Sequence, residues 1–309
     1  MTVDATHVLH EGPWRHRFVS ANGARFHVAE AGPTDASGPI VVLLHGFPLM
    51  WWSWRAQLPA LAEAGYRAVA LDLRGYGASD KPPRGYDTPT LAADVAAVVR
   101  SLGAEGAVVV GHDWGGWIAW SMPALQPSVT RAVAVVSAAH PLELQRRTLR
   151  SAGQLRALRQ VARYQLPFVP ERALTRDRGT VASLLAAGGM PGWPAPDAEL
   201  VDAYTQAMRV PFVAHSAMEY FRWAVRSTGR ADGRSFRSAV HQQVSVPVLQ
   251  LHGAEDAIVL ERTARASRRW AAGPYRYEQL PGGHFLPEER PDDVTRLLLD
   301  WLGTLPPTG

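Results

Sequence analysis

The stretch that most limits this chain is Val108-Val109-Val110-Gly111-His112-Asp113-Trp114-Gly115-Gly116. An apolar run, a turn framed by glycines and the opening of a helix follow one another without a linker. A run that is apolar at every position suits a strand covered on both faces. A helix that starts so soon afterwards must fold back over that strand, so the turn is sharp and its central side chain, Asp113, stands exposed above the strand end. The free N–H groups at the helix start favour negative charge at the same place. A simpler reading makes Asp113 a helix cap, but it gives no reason for glycines on both sides.

The apolar run recurs. Residues 40–44 are continuously apolar, and 67–71 and 132–136 repeat the pattern. Helical spacing fills 54–64, 90–102 and 116–125, with Thr88 or Thr90 and nearby Asp94 marking the second of these. Ahead of them, 15–20 and 24–30 alternate apolar with polar around Asn22-Gly23, a strong hairpin signal. Strand–helix–strand alternation predicts an α/β fold, a mostly parallel sheet flanked by helices. It stops near Ala138. Residues 139–240 hold arginine-rich helical stretches, prolines at 167, 170, 191, 194 and 196, and no convincing buried strand. Alternation resumes with a strand at 246–251, a helical stretch at 261–270, a strand at 275–280 and a last helix at 291–302. At 309 residues, the chain fits one large domain, 1–138 and 241–309, split by a helical insertion at 139–240.

Composition removes several classes of function. The chain is 47% hydrophobic and 19% charged, enough to bury a substantial core. It has no cysteine, which excludes disulfides, thiolate metal sites and cysteine nucleophiles. The net charge is +4, carried almost wholly by arginine (Lys81 is the one lysine) and spread along the chain rather than in one block. With no groove motif and no aromatic–basic platform, no nucleic-acid partner is expected. The first 18 residues lack the apolar run of a signal peptide, and nothing approaches the roughly 18 apolar residues of a span. The expectation is a cytoplasmic protein with no membrane partner. Arg146, Arg147, Arg150 and Arg156 read as a solvated helix face, with an anionic partner as the lesser alternative.

Three further loops fall where such a turn needs them. Leu251-His252-Gly253-Ala254-Glu255-Asp256 follows one apolar run and supplies an acid, and Gly282-Gly283-His284 follows another. The order nucleophile, acid, histidine is that of a catalytic triad on this kind of sheet. His45-Gly46-Phe47-Pro48 ends the 40–44 run, and the Phe47 and Trp114 N–H groups can converge as an oxyanion hole. The nucleophile type then selects the chemistry. A serine alkylated by a saturated carbon becomes an ether that activated water does not readily cleave. A carboxylate becomes an ester, which water hydrolyses at the carbonyl carbon. Asp113 with His284 therefore points to an electrophile at sp³ carbon, such as an epoxide or a haloalkane.

These residues resemble a known family. HGFP, DLRGYGASDKP (Asp72 to Pro82), GHDWGG, GAED and GGHF are similar to the α/β-hydrolase superfamily, and specifically to its soluble epoxide hydrolase branch. The resemblance implies an α/β-hydrolase fold with a helical cap, Asp113 as nucleophile, His284 as base and Asp256, in preference to Glu255, as orienting acid. It implies Phe47 and Trp114 as oxyanion donors, and a small apolar epoxide and water as reactants, without cofactor or metal. The branch places two cap tyrosines over the nucleophile; the candidates are Tyr164 and Tyr220, with Tyr204 as fallback. Phe221 departs from the pattern, because it stands directly before an arginine where the second tyrosine is expected. One tyrosine, His215 or water are the other routes for the proton. The haloalkane dehalogenase alternative uses Trp114 with Trp193 or Trp223 as halide donors. A non-catalytic ligand-binding module is the third reading, disfavoured by the intact Asp113, Asp256 and His284. Trp51 to Trp54 reads as apolar pocket wall, Asp72 and Asp80 as organisers of their turn, and His112 as a packed neighbour.

Overall fold

The computed structural model describes residues 3–34, 40–191 and 198–306. Arg15–Ala21 (β1) and Ala24–Ala31 (β2) form the expected hairpin, closed by Asn22 and Gly23 at φ 44° and 73°. Two consecutive left-handed residues make the tight turn whose twist matches paired strands. Ile40–Leu44 (β3), Ala68–Leu71 (β4), Ala107–His112 (β5), Thr130–Val136 (β6), Val248–Gly253 (β7) and Tyr275–Leu280 (β8) complete one sheet in the order β1-β2-β4-β3-β5-β6-β7-β8. β3 to β8 are mutually parallel, while β2 runs antiparallel to β1 and to β4. Every residue of β3, β4 and β5 is buried, which explains their unbroken apolar runs. β8 is one of the two edge strands and mostly half-buried, so it tolerates Tyr-Arg-Tyr-Glu-Gln-Leu.

The first half of the sheet is wrapped by α1 (Gln57–Glu63), α2 (Thr88–Ser101) and α3 (Trp114–Leu125). The start of α2 differs from the sequence reading. Asp87 caps it, accepting from the Thr90 N–H at 2.9 Å, whereas Asp94 lies mid-helix and binds Arg74 and Asn22. Between β6 and β7 the described residues are helical: α4 (Pro141–Arg150), α5 (Ala152–Ala157), α6 (Gln160–Tyr164), α7 (Val169–Arg176), α8 (Arg178–Gly188), α9 (Ala198–Arg209), α10 (Val213–Arg226) and α11 (Ala231–Ala239). Then α12 (Glu261–Ala266) follows β7, and α13 (Leu286–Glu289) and α14 (Pro291–Leu302) follow β8. Among the described residues, no helix is long and apolar enough to cross a membrane.

Trp51 to Trp54 is not pocket wall. Trp51 and Trp54 are fully buried, the Trp51 indole donates to Val8 O at 2.8 Å, and its ring meets Trp14, His16 and His27. Trp51 thus packs the N-terminal segment onto the sheet. Composition alone does not say which side of a loop an apolar cluster faces.

β3 pairs with β4 on one side and β5 on the other, so the chain turns to opposite directions on leaving the neighbours β3 and β5. The carboxyl edge at such a switch point is where open α/β sheets leave a crevice. The loops bearing Phe47, Asp113, Asp256 and His284 all leave that edge, from β3, β5, β7 and β8.

Candidate active site

Asp113 sits between β5 and α3 at φ 51°, ψ −112°, a conformation that costs a non-glycine residue of order 1–3 kcal/mol. Its side chain makes no capping bond to α3, so capping does not account for it. The surrounding backbone leaves no slack. A Cβ on Gly111 would fall 2.0 Å from the Gly115 carbonyl oxygen, and one on Gly46 would fall 2.5 Å from Asp113 Cβ. Gly46 thus lets the β3 loop close on the Asp113 turn, where the Phe47 N–H donates to Asp113 Oδ2 at 2.8 Å. Trp114 opens α3, and its amide is one of the free donors of a helix's first turn.

The other carboxylate oxygen, Oδ1, lies 3.5 Å from His284 Nε2. On the far side of the ring, His284 Nδ1 is 2.9 Å from Asp256 Oδ2, and Asp256 Oδ1 accepts the Ile258 and Val259 amides at 2.8 and 2.9 Å. Asp256 is therefore the acid brought to the histidine; Glu255 instead accepts from Gly282 N–H. Side-chain exposure grades the three: 21% for Asp113, 1% for His284 and none for Asp256. Only the outermost carboxylate has appreciable accessible surface.

Charge follows the same line. Burial works against an imidazolium at His284, but the Asp256 charge and hydrogen bonds to Asp113 and Asp256 outweigh it, raising it to about 10. Burial likewise works against both carboxylates, yet the His284 hydrogen bond and charge hold Asp113 and Asp256 below the usual range. At neutral pH the three form a carboxylate–imidazolium–carboxylate chain. His112 is not a second base: burial, then the His284 charge, lower it to about 4. Its Nε2 meets His284 O at 2.8 Å.

The tyrosines separate. Tyr164 is half-buried and packs its ring on Phe47 and Phe221, with centroids 5.7 and 4.7 Å away. Its hydroxyl donates to Gln160 Oε1 at 3.0 Å, and burial together with the Asp113 charge raises its phenol above the usual value. Tyr220 lies behind Trp114, fully buried, with its hydroxyl donating to Arg74 O at 2.7 Å. Neighbours on a helix point about 100° apart. It is Phe221 that turns to the loops bearing Asp113 and Phe47, packing on Trp114 and Phe47 at 5.0 and 5.3 Å. Tyr204 is remote from this group; its hydroxyl binds Glu288 beside Arg55. His215 is exposed and 3.7 Å from Glu171, away from the triad. Trp223 donates to Asp232, while Trp193 lies outside the described residues. Asp72 accepts from Ala78 N–H within its own turn and also binds His27 and Trp51 N–H, and Asp80 accepts from Arg25 N–H, so the two fasten that turn to β2 and its surroundings.

Two features were missed in the sequence. The His284 amide donates to Gly188 O at 2.7 Å, at the end of α8. Glu289 accepts from the Gly283, Phe285 and Met190 amides at 2.7, 2.9 and 3.0 Å. Gly188-Gly189 after a helix and an acid five residues past His284 were the available signals, but neither says what it meets.

A family profile described as alpha/beta hydrolase fold matches residues 39–291. The AB hydrolase superfamily protein YfhM of Bacillus subtilis is 32% identical over 289 residues, 93% of this chain and 97% of that protein. Epoxide hydrolase A of Mycobacterium tuberculosis is 33% identical over 317 residues, covering 93% of this chain and 96% of its own length. A solved epoxide hydrolase from an endophytic Streptomyces superposes with a TM-score of 0.80 at 32% identity, over 96% of this chain and 97% of that one.

Proposed function

The chain belongs to the α/β-hydrolase superfamily, on its epoxide-hydrolase-like branch, and from that premise we propose that it opens an apolar epoxide to a vicinal diol through an ester on Asp113. The observation that carries this reading is the division of labour between the two Asp113 oxygens. Oδ2 is held by the Phe47 N–H, and Oδ1 faces His284 at the mouth of the triad. Oδ1 attacks an epoxide carbon; the new C–O bond forms as the ring C–O bond breaks, and the resulting alkoxide takes a proton from the Tyr164 phenol. The helical segment 139–240 acts as a cap, bringing Tyr164 and Phe221 onto Phe47 to wall the substrate with rings.

Esterification removes the Asp113 charge, and two groups respond. The Tyr164 phenol, previously held up in part by that charge, becomes more acidic as the alkoxide develops. The His284 imidazolium loses one of the interactions that stabilised it, releases its proton to solvent or to the Tyr164 phenolate, and becomes a base. It then deprotonates water, which adds to the Asp113 carbonyl carbon. Phe47 and Trp114 N–H groups hold the oxyanion on Oδ2. Collapse expels the diol oxygen, which takes the proton back from His284, and Asp256 keeps the ring oriented throughout. The chemistry needs only epoxide and water.

One observation favours a second reading. The indole N–H of Trp114, the residue after Asp113, is buried without an acceptor among the described residues, as a halide donor would be in a haloalkane dehalogenase. A second donor is needed for that role, and Trp223 already serves Asp232. The decisive experiment is single-turnover hydrolysis of a styrene-oxide-like substrate in heavy-oxygen water, followed by mass analysis of the Asp113 peptide. Label in that carboxylate is expected; label only in the diol rules out the ester. Bromide release from bromoalkanes without diol formation from epoxides reverses the choice between the two readings.

A further inference from the structure

The outer face of the helical segment carries a feature that the reaction does not use. Phe168 and Phe212, which precede α7 and α10, have φ of 64° and 67°. A bulky residue in the left-handed region is a genuine outlier, and such outliers gather at working surfaces. Both rings point outward, 69% and 72% exposed, and line one groove of about 460 Å³ together with Arg172, Arg176 and Arg209. The groove's one carboxylate, Glu171, is engaged by Arg222 at 2.7 Å. Arg172 and Arg176 have no carboxylate partner among the described residues.

The chain leading into this groove has the same mixture. Residues 141–169 contain six arginines and one acid, Glu143, a net of +5 against +4 for the entire chain. Glu143 is buried and pairs with Arg146 and Arg147, which leaves Arg150, Arg156, Arg159 and Arg163 without an acidic partner among the described residues. Leu149, Leu155 and Leu166 are 86%, 58% and 49% exposed along the same stretch. Basic residues alone make a solvated face; interleaved with large exposed apolar side chains, they need a partner that is both anionic and oily.

We propose that this face docks the protein onto anionic lipid bilayers. Phe168 and Phe212 enter the headgroup–acyl boundary while the neighbouring arginines meet lipid phosphates. A second copy of the chain fits less well, because a two-fold contact would set the arginines against each other. Nucleic acid would satisfy the charges but leave the leucines unmatched. The contact is peripheral and involves no span. It stands independently of the reaction assigned to Asp113, although a face with residues on both sides of Tyr164 would also receive apolar substrates that partition into lipid.

The test is co-sedimentation of the full chain with vesicles of phosphatidylcholine alone or mixed with phosphatidylglycerol. Retention on the anionic vesicles at low salt is expected, weak retention on the neutral ones, and release as salt rises. Phe168→Ser with Phe212→Ser should lower retention roughly tenfold, and Arg150→Gln with Arg156→Gln and Arg159→Gln should lower it comparably. Thermal unfolding checks that both variants fold, and hydrolysis of a water-soluble substrate should be unchanged. No retention on anionic vesicles overturns the proposal, as does retention that ignores the phenylalanine pair. So do a phenylalanine-dependent dimer with no vesicle binding, and duplex DNA that outcompetes the vesicles.

Discussion

The sheet edge and the helical segment meet at the same site but hold their side chains by different means. Asp113, His284 and Asp256 are fixed by the hydrogen bond between His284 and Asp256, by the charge contact of His284 with Asp113, and by the Phe47, Ile258 and Val259 amides. Tyr164 and Phe221 are held chiefly by ring packing on Phe47 and Trp114, and the Tyr164 hydroxyl has a single partner four residues back on its own chain. Directional bonds fix a geometry to fractions of an ångström, whereas packed rings fill volume and yield to a guest. On the proposed reading, the sheet edge determines what reaction is possible, and the helical side determines which molecule undergoes it.

The sharpest break of that contrast is Asp113→Asn. Turnover should fall by roughly 10⁴-fold or more, measured as diol formed, since the nucleophile is removed. Diol production at an unchanged rate would leave the protein a hydrolase of another kind. Next in size is His284→Gln, which should slow steady turnover by about 10³-fold while still forming the ester. A mass shift on the Asp113 peptide that persists for minutes is the expected sign, and rapid loss of the adduct would contradict the assignment of the base.

On the helical side the effects should be smaller and should divide between the two tyrosines. Tyr164→Phe is expected to slow ring opening by about 10²-fold, read as single-turnover ester formation. Tyr220→Phe should leave that rate within a few-fold and cost about 1 kcal/mol of stability, because it strands the Arg74 carbonyl. Urea titration reads the second effect. If Tyr220→Phe slows opening and Tyr164→Phe does not, the two roles must be exchanged. The last effect concerns pH. His284, raised to about 10 from an ordinary 6.5, adds stability that is full below 6.5 and is lost as pH rises through about 10. Thermal midpoints should fall over that window, and fall less in His284→Gln.

The same contrast explains what could be read from the chain in advance. β3 and β5 are legible because a strand buried on both faces has no polar position, and the Asn22-Gly23 hairpin because few dipeptides accept two left-handed residues. The triad loops followed from where those strands end. The helical side was far less legible. That Phe221 and not Tyr220 faces the nucleophile depends on the rotation of α10 against Trp114, more than 100 residues away in sequence. Trp51 to Trp54 failed for a related reason, since its partners Trp14, His16 and Val8 belong to a segment with little pattern of its own.

The amide of His284 donates to a carbonyl at the end of α8, so the proposed base borrows one of its anchors from outside the sheet. Anyone transplanting a helical segment from a relative onto this scaffold, to change what it accepts, would be exchanging part of the mounting of the imidazole as well. Chimeras that retain the stretch ending at Gly188 and Met190 are the ones in which selectivity can be altered without loosening the catalyst.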